Sequence, residues 1–198
     1  MIIINLGSND RKDFTFEKIQ QNQNDLEKAI IVEADEDIFK SCIQLYKNSF
    51  SEEVIKKIYF LNIAITDDSS CDFVDFYSNP NHRGAGSLDQ QHVYLHGHSH
   101  GLKKIIKATT VNNLFTEHDL SKIDYLQIDC EGMDAKIILS IDFDLFDIKY
   151  IQYENLHLDG PFNLYGTDLG VKAKNKLESL GYNITTGGTE GWDNIAIK

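Results

Sequence analysis

Short runs of apolar residues alternate along this chain with longer segments in which apolar residues recur at helical spacing. An unbroken apolar run is typical of a strand that a parallel sheet buries on both faces, whereas apolar residues three or four positions apart indicate one face of a helix. The runs predict strands at residues 1–6, 29–33, 58–65, 72–77, 105–111, 125–129, 150–154, 182–186 and 194–198. The helical spacing predicts helices at residues 12–28, 37–48, 135–145 and 171–180.

This order of elements predicts an α/β fold. Strands that alternate with helices form a mostly parallel sheet with helices on both faces, and the last two strands add a C-terminal antiparallel hairpin. A chain of 198 residues can bury a core without disulfides or a structural metal, so we expect one domain over residues 1–198. Ligands bind beyond the carboxyl ends of parallel strands. The chemistry is therefore expected to follow the strand residues Leu6, Val32, Ala64, Ile128 and Tyr153.

The composition narrows the classes of function. With 41% hydrophobic residues, 25% charged residues and 2 prolines, the whole chain is expected to fold. A net charge of −12 disfavours nucleic acid as a partner, because a phosphate backbone attracts basic surfaces. The apolar runs fall far short of the roughly 20 residues that span a bilayer, and no signal-peptide pattern is present. Three cysteines without CxxC spacing fit reduced thiols, so we expect a soluble cytoplasmic protein.

Residues 79–101 are predicted to be the longest irregular stretch, because they gather a proline, several glycines and five histidines. Four of these histidines lie close together, namely His92, His96, His98 and His100. Imidazole nitrogen is a common metal ligand, but spacing in the sequence does not supply convergent geometry. We therefore favour a solvent-exposed loop on the substrate side, with His98 as a substrate-binding residue, and keep a metal site as the alternative.

Two strand ends carry groups that suit a cofactor with a ribose. Gly7 directly follows the first strand, where the missing side chain lets the backbone approach a ligand. Glu33 ends the second strand, where an acidic side chain can accept both hydroxyls of a ribose. The alternatives are that Gly7 only terminates a strand and that Glu33 is a solvated acid. The fingerprint GxGxxG is absent, which disfavours an NAD-dependent or nucleotide-sugar oxidoreductase.

A second group of polar residues follows two strands that we expect to be neighbours. Asp129 and Glu131 follow the first of them, and buried carboxylates at a strand end cost free energy unless they are used. With Glu154 and Asn155 at the end of the other strand, Asp129 could hold Mg²⁺ and substrate hydroxyls. The equal alternative is that these residues position the substrate through hydrogen bonds without a metal. His157 lies three positions after Glu154 and is a further candidate base.

The last predicted hairpin contains the single tryptophan of the chain. Trp192 could stack on the face of a sugar, and Asp193 could bind sugar hydroxyls, because an aromatic ring offers apolar area with a defined orientation. The alternative is an ordinary core tryptophan.

These segments resemble the FkbM family of S-adenosylmethionine-dependent methyltransferases. The resemblance covers nearly the whole chain and is carried by the glycine motif at 5–9, the acid within 32–35, the strand 62–65, the D-x-E-G stretch within 125–134, the strand 150–154 and the turn 180–182. It implies a Rossmann-like class I methyltransferase fold with S-adenosylmethionine as cofactor. The residues that it places at the cofactor are Asn5, Gly7, Ser8, Asn9, Glu33, Ala34, Ala64 and Asp129.

The resemblance also implies an activity. By analogy, the chain is an O-methyltransferase that acts on a sugar hydroxyl, in a deoxyhexose such as rhamnose within a glycan or glycoside. Its expected catalytic residues are Asp129, Glu154 and His157. Its expected substrate-binding residues are Glu131, Asn155, His98, Trp192 and Asp193. Two alternatives stay open: a methyltransferase for another small hydroxyl compound, and a non-catalytic cofactor-binding module of a glycosyltransferase.

The chain departs from the family pattern at a few positions. Asn5 stands where the family often has Asp, Ala34 where it usually has Pro, and Asn112 where it has Asp. The family's first strand normally follows a helical segment, whereas here the strand begins at residue 2. A further expectation is therefore that this domain is excised from a larger enzyme with fused glycosyltransferase domains.

Overall fold

Strands and helices alternate along the described part of the chain, which in this computed structural model comprises residues 1–79, 82, 84–95, 101–158, 168–187 and 191–198. The strands are β1 (Ile2–Leu6), β2 (Lys28–Val32), β3 (Ile58–Leu61), β4 (Ala64–Thr66), β5 (Phe73–Ser78), β6 (Leu102–Thr110), β7 (Lys122–Ile123), β8 (Tyr125–Ile128), β9 (Asp147–Ile148), β10 (Tyr150–Glu154), β11 (Asn183–Gly187) and β12 (Asp193–Ile197). The helices are α1 (Phe14–Gln21), α2 (Glu36–Ser49), α3 (Glu52–Ile55), α4 (Gln90–Leu95), α5 (Val111–Glu117), α6 (Asp134–Ser140) and α7 (Asp168–Ser179). The predicted α/β class is confirmed.

The main sheet has the strand order β11-β12-β10-β8-β1-β2-β3. The five strands from β10 to β3 pair in parallel, and β12 pairs antiparallel with both β10 and β11. The chain leaves β1 for β2 on one side, whereas β8 lies on the other side, so the order reverses between β1 and β8. Such a reversal opens a crevice at the carboxyl ends of the strands. The expected neighbourhood of the strands that precede Asp129 and Asn155 is confirmed by the β8–β10 pairing.

Helices cover both faces of this sheet. Alternate residues of a strand point to opposite faces, and Ile3 and Ile4 in β1 accordingly belong to two different core clusters. The cluster around Ile3 includes Phe16 of α1 and Tyr46 of α2. The cluster around Ile4 contains side chains of α5, α6 and α7, among them Leu114. Burial on both faces explains why the central strands read as unbroken apolar runs.

The strand predicted at 58–65 is divided in two. Residues 58–61 join the main sheet as β3, whereas 64–66 form β4 in a smaller sheet of order β4-β6-β5. The division falls at Asn62, whose Nδ2 donates hydrogen bonds to the carbonyl oxygens of Glu33 and Ala34 at 2.8 and 3.0 Å. These bonds tie the chain to the end of β2 and turn it out of the main sheet.

Local capping sets the other boundaries. Asp13 and Asp35 cap α1 and α2 by accepting from backbone amides within the first turn. The helix predicted at 12–28 is shorter mainly because α1 ends at Gln21, where the Asn22 amide closes its last turn. The Thr110 side chain likewise accepts from the Asn113 amide, so α5 begins where a strand was expected to end. Within the expected loop the structure has the short helix α4. None of the described helices has both the length and the apolar character needed to cross a membrane.

Candidate active site

A cleft opens at the carboxyl edge of the main sheet, where β1, β2 and β8 end. The space within it, including the part open to solvent, is about 650 Å³. The predicted cofactor residues that line it are Gly7, Asn9, Glu33, Ala34, Ala64 and Asp129. The substrate-side residue Glu131 also lines it. The fold therefore places these groups along one edge of the sheet, where the sequence led us to expect them.

Gly7 is required by the close approach of two strand ends. Its φ is +84°, and a Cβ at this position would lie 1.8 Å from the carbonyl oxygen of Asp129. The backbone amides of Gly7 and Ser8 both donate to the carbonyl of Val32 at 3.0 Å, and the Asp129 amide donates to Leu6 at 2.9 Å. The glycine therefore does more than end a strand, because no side chain fits between β1 and the turn after β8.

Glu33 is held by backbone amides rather than by cations. Its Oε2 accepts from the Asn9 amide at 2.9 Å and its Oε1 from the Asp35 amide at 2.8 Å. The residue is 8% exposed, so it is not a solvated acid, and burial raises its pKa to about 7. Each carboxylate oxygen has a second lone pair, so Glu33 can still accept from two hydroxyls of a ligand.

Asn5 and Ser8 are absent from the described lining of the cleft. Asn5 is fully buried, and its Nδ2 donates to Asp13 Oδ2 at 2.6 Å. Ser8 is 2% exposed, with its Oγ 3.5 Å from Cys42 Sγ. Their side chains thus lie behind the cleft, where they brace the turn that contains Gly7.

Four ionisable side chains meet on the other side of the cleft, and we call them the histidine–glutamate cluster: His92, Glu131, Glu154 and His157. His92 Nε2 lies 2.8 Å from Glu131 Oε2, and His157 Nδ1 lies 2.7 Å from Glu154 Oε1 and 3.3 Å from Glu131 Oε2. The two imidazole rings meet edge to face with centroids 4.8 Å apart. His92 is fully buried, and Glu154 and His157 are buried.

The turn after β8 fixes this cluster in place. Glu131 has a left-handed backbone with φ +46°, and Ser87 Oγ donates to its carbonyl at 2.7 Å. Asp134, which is fully buried at the start of α6, accepts from the amides of Cys130 and Glu154 at 2.9 and 3.1 Å. It therefore ties the turn to the end of β10. Sequence reasoning assigned Asp134 no role, although an acid at a helix start, two positions after the glycine of D-x-E-G, is a usable signal.

Opposite charges and burial shape the protonation of the cluster. Burial alone would raise the pKa of Glu131, but hydrogen bonds from His157 and His92 lower it to about 2. Burial would lower the pKa of His157, but its bonds to Glu131 and Glu154 raise it to about 10. Burial, followed by repulsion from Glu154 and other carboxylates, raises the pKa of Asp129 well above its ordinary value. Glu131 and His157 are thus held as an ion pair, whereas the raised pKa of Asp129 reflects the cost of a buried charge among other carboxylates.

The magnesium ligands predicted from the sequence, Asp129, Glu154 and Asn155, stay a prediction. Asn155 Oδ1, one of the predicted ligand atoms, accepts from Asn194 Nδ2 at 3.0 Å. The ligand atoms of His92, Glu131 and His157 lie within 4.8 Å of one another. These three residues therefore form a further candidate metal centre.

The predicted loop histidines divide into two groups. His92 contradicts the prediction of a solvent-exposed loop, because it belongs to α4 and is fully buried. His96, His98 and His100 lie outside the described residues. The available signal for His92 is its helical spacing from Leu88, which partly packs against the core.

The start of β12 lies beside the cluster. The Asn155 amide donates to the carbonyl of Trp192 at 2.6 Å, and Asp193 Oδ2 accepts from Gln152 Nε2 at 3.0 Å. Trp192 is 46% exposed, so it is not a core tryptophan. The predicted substrate-side residues Asn155, Trp192 and Asp193 are thus brought together by the β10–β12 pairing.

Comparison with known proteins places the chain among methyltransferases. A family model described as the methyltransferase FkbM domain matches residues 5–184. No curated protein matches the chain significantly. The crystal structure of methyltransferase FkbM from Methylobacillus flagellatus KT aligns with a TM-score of 0.59 at 11% identity, covering 99% of this chain and 43% of that chain. The present chain therefore spans less than half the length of that protein. The methyltransferase domain of bacterial CtHen1-CN aligns with a TM-score of 0.44 at 9% identity, covering 100% of this chain and 89% of that chain.

Proposed function

Because the chain belongs to the family of FkbM methyltransferase domains, we propose that it transfers a methyl group from S-adenosylmethionine to a hydroxyl of a sugar. The sugar that we propose is a deoxyhexose such as rhamnose, in a glycan or a glycoside. One observation carries the proposal: a single cleft extends from Gly7 and Glu33, which suit the donor, to Asp129 and Glu131 beside the histidine–glutamate cluster.

The donor side of the cleft fits a sulfonium nucleoside. When bound, S-adenosylmethionine supplies a methyl group on a positively charged sulfur, which an oxygen nucleophile can attack. Glu33 would accept hydrogen bonds from the ribose hydroxyls through its remaining lone pairs. Ala34 and Ala64 leave room beside it for a base, while Gly7 and Asp129 flank the position proposed for the amino-acid end. The buried carboxylate of Glu33, to which two backbone amides leave one lone pair on each oxygen, supports this orientation, because ligand hydroxyls would replace the water lost on burial.

The acidic side of the cleft would receive the proton. A sugar hydroxyl is a weak acid, so its proton must be removed as the methyl group is transferred. Asp129 lines the cleft, and its pKa is raised by burial and neighbouring carboxylates, which suits a group that accepts a proton. We assign proton removal to Asp129, with Glu154 and His157 behind it as the charged pair that orients the site.

Other features support the acceptor class and the domain assignment. Trp192 exposes an aromatic face next to Asn155, which suits the apolar face of a deoxyhexose.

For the fold, we propose a Rossmann-like class I methyltransferase sheet, supported by the parallel strands and the antiparallel pair β11–β12. One domain over 1–198 is supported by two core clusters that share one sheet.

The decisive experiment incubates the protein with methyl-labelled S-adenosylmethionine and a panel of acceptors. The panel contains rhamnosides, hexosides without a deoxy position, a polyol and a phenol. We expect label in the rhamnosides above the other acceptors, and we expect Asp129→Asn to lower kcat by about 10²-fold. Asp75→Asn, at an exposed acid of β5, is the control.

Two results would contradict the proposal in different ways. Transfer to the phenol alone would replace the sugar by another hydroxyl compound. Tight binding of the donor without transfer to any acceptor would favour the non-catalytic module.

A further inference from the structure

We propose that His92, Glu131, Glu154 and His157 form a binding site for a divalent transition-metal ion beside the methyl-transfer cleft. The site itself is inferred from the geometry of these residues, whereas its role in activating an acceptor rests on the proposed function. It shares Glu154 with the magnesium site expected from the sequence, and differs from that site in its other ligands and in the class of metal.

The spacing of the ligand atoms fits one ion. The contacts from His92 Nε2 and His157 Nδ1 to Glu131 Oε2 are 2.8 and 3.3 Å, and that from His157 Nδ1 to Glu154 Oε1 is 2.7 Å. Ligand atoms at about 2.1 Å from a tetrahedral ion are about 3.4 Å apart. The ligand atoms of His92, Glu131 and His157 all lie within 4.8 Å of one another, so side-chain shifts of about 1 Å would bring them to this spacing.

The four ligands arrive from independent elements with little freedom to move. His92 is in α4, Glu131 in the turn after β8, Glu154 at the end of β10, and His157 in the segment that follows. Serine and aspartate side chains fix the turn and the strand end through the bonds to Glu131 and Glu154 described above. A preformed set of this kind binds metal without a large loss of conformational entropy.

The carboxylates around the site outnumber its two histidines, and His157 would release its proton when a metal binds. Asp129, Glu131, Asp134 and Glu154 surround it, and among the described residues no lysine or arginine forms an ion pair with any of them. Glu154 is 9% exposed, and its Oε2 has no hydrogen-bond partner within the described structure. A buried carboxylate oxygen without a partner is costly, and a cation at this point would satisfy it.

The ligand chemistry selects the class of metal. Two imidazoles and two carboxylates suit Zn²⁺, Mn²⁺, Fe²⁺ or Co²⁺, whereas Mg²⁺ and Ca²⁺ prefer all-oxygen sites. Because Glu131 also lines the cleft, an ion here would lie next to an acceptor hydroxyl. It would lower the pKa of that hydroxyl as a Lewis acid. The hydroxyl proton then passes to the Asp129 carboxylate, the C–O bond forms, and the electron pair of the broken S–C bond stays on a neutral thioether sulfur.

Metal binding can be measured without any methyl acceptor. We would remove metal from the purified protein with a chelator, and then titrate it with Co²⁺, Zn²⁺ and Mg²⁺ by calorimetry while recording the visible spectrum of bound Co²⁺. We expect one Co²⁺ or Zn²⁺ per chain, at least 10²-fold tighter than Mg²⁺, with cobalt bands of imidazole ligation. His157→Ala and Glu154→Gln should each weaken Co²⁺ binding by 10²-fold or more. His118→Ala, at a histidine far from the cleft, is the matched control.

The outcomes separate this inference from the proposed function. Absence of stoichiometric Co²⁺ or Zn²⁺ binding by the native chain overturns the site, whether or not the variants fold. Co²⁺ binding that both cluster variants leave unchanged also overturns it, since the ion would then lie elsewhere. Bound metal without methyl transfer contradicts only the proposed function. Full methyl transfer after exhaustive chelation contradicts the role of the ion and leaves the proposed function standing.

Discussion

The two sides of the cleft are held together by different interactions. On the donor side, a carboxylate and a glycine are fixed by backbone amides of neighbouring strand ends, as in the bonds from Asn9 and Asp35 to Glu33. On the acceptor side, ionisable side chains contact one another across elements distant in sequence, as in the pair His92 and Glu131. The donor side is consequently specified by short motifs, whereas the acceptor side exists only once the whole sheet has formed.

The largest effect should come from the backbone contact that joins the two sides. Gly7→Ala forces a Cβ onto the Asp129 carbonyl and strains a positive φ, so the free energy of unfolding should fall by more than about 4 kcal/mol. Gly181→Ala is the matched control, because its φ is +90° but nothing lies within 4 Å of the added Cβ. Its cost should be about 1 kcal/mol. Equal shifts of Tm in a thermal melt would show that the close approach does not matter.

The next largest effect is a pH dependence of the free energy of unfolding, which we expect from Glu33 on the donor side. Burial raises the pKa of Glu33 from 4.5 to about 7, so the folded state binds this proton more tightly than the unfolded state. The proton therefore stabilises the folded state, by about 3 kcal/mol at most. This stabilisation is complete below pH 4.5 and is lost as the pH rises through 7. Denaturant titrations across this window should show that the free energy of unfolding depends less on pH in Glu33→Gln than in the native protein. Glu36→Gln, at an exposed acid, should keep the native pH dependence. If Glu33→Gln also keeps it, Glu33 is not the source of the pH dependence.

A somewhat smaller effect concerns the donor itself. Glu33→Ala removes the proposed ribose acceptor, and hydrogen bonds to a charged group contribute about 1.5–3 kcal/mol, so affinity for S-adenosylmethionine should fall by about 10²-fold. Calorimetry with Glu36→Ala as the control measures this. Unchanged affinity in Glu33→Ala would mean that the ribose binds elsewhere.

The smallest effect is expected at the rim of the acceptor side. Trp192 is 46% exposed, so Trp192→Ala should change the free energy of unfolding by less than about 1 kcal/mol. Loss of one stacking contact should raise KM for a rhamnoside about fivefold and leave kcat unchanged. Tyr59→Ala, at an equally exposed aromatic residue of β3, should leave KM as it was. A fall in kcat for Trp192→Ala would place the tryptophan nearer the reacting atoms than we propose.

The sequence predicts the strands of the sheet centre well, for a physical reason. β8 and β10 are buried on both faces, so their apolar runs are unbroken and end within a residue of the predicted limits. Gly7 and Glu33 are recognisable because each directly follows such a run. On the donor side, the motifs in the sequence therefore coincide with strand ends of the main sheet.

The rest depends on contacts that no local pattern encodes. Asn62 divides a continuous apolar stretch through bonds to residues almost thirty positions away, and these bonds exist only when β2 and β3 are paired. His92 meets Glu131 and His157 because α4 packs against β5 and reaches the turn after β8 from there. The alternating spacing in the sequence instead points to His96, His98 and His100, which come later in the same segment. Convergence of distant side chains is a property of the topology, which the sequence pattern alone does not determine.

The position of β12 has a consequence for synthesis. This strand is inserted between β10 and β11, although it is made after both. Until residues 193–197 have left the ribosome, β10 exposes an unpaired edge and Asn155 lacks the Trp192 carbonyl that its amide meets. Unpaired edges promote misassembly, so the insertion of β12 is the vulnerable step in the assembly of this sheet. The donor pocket can thus form before β12 pairs, whereas the acceptor rim forms only with it.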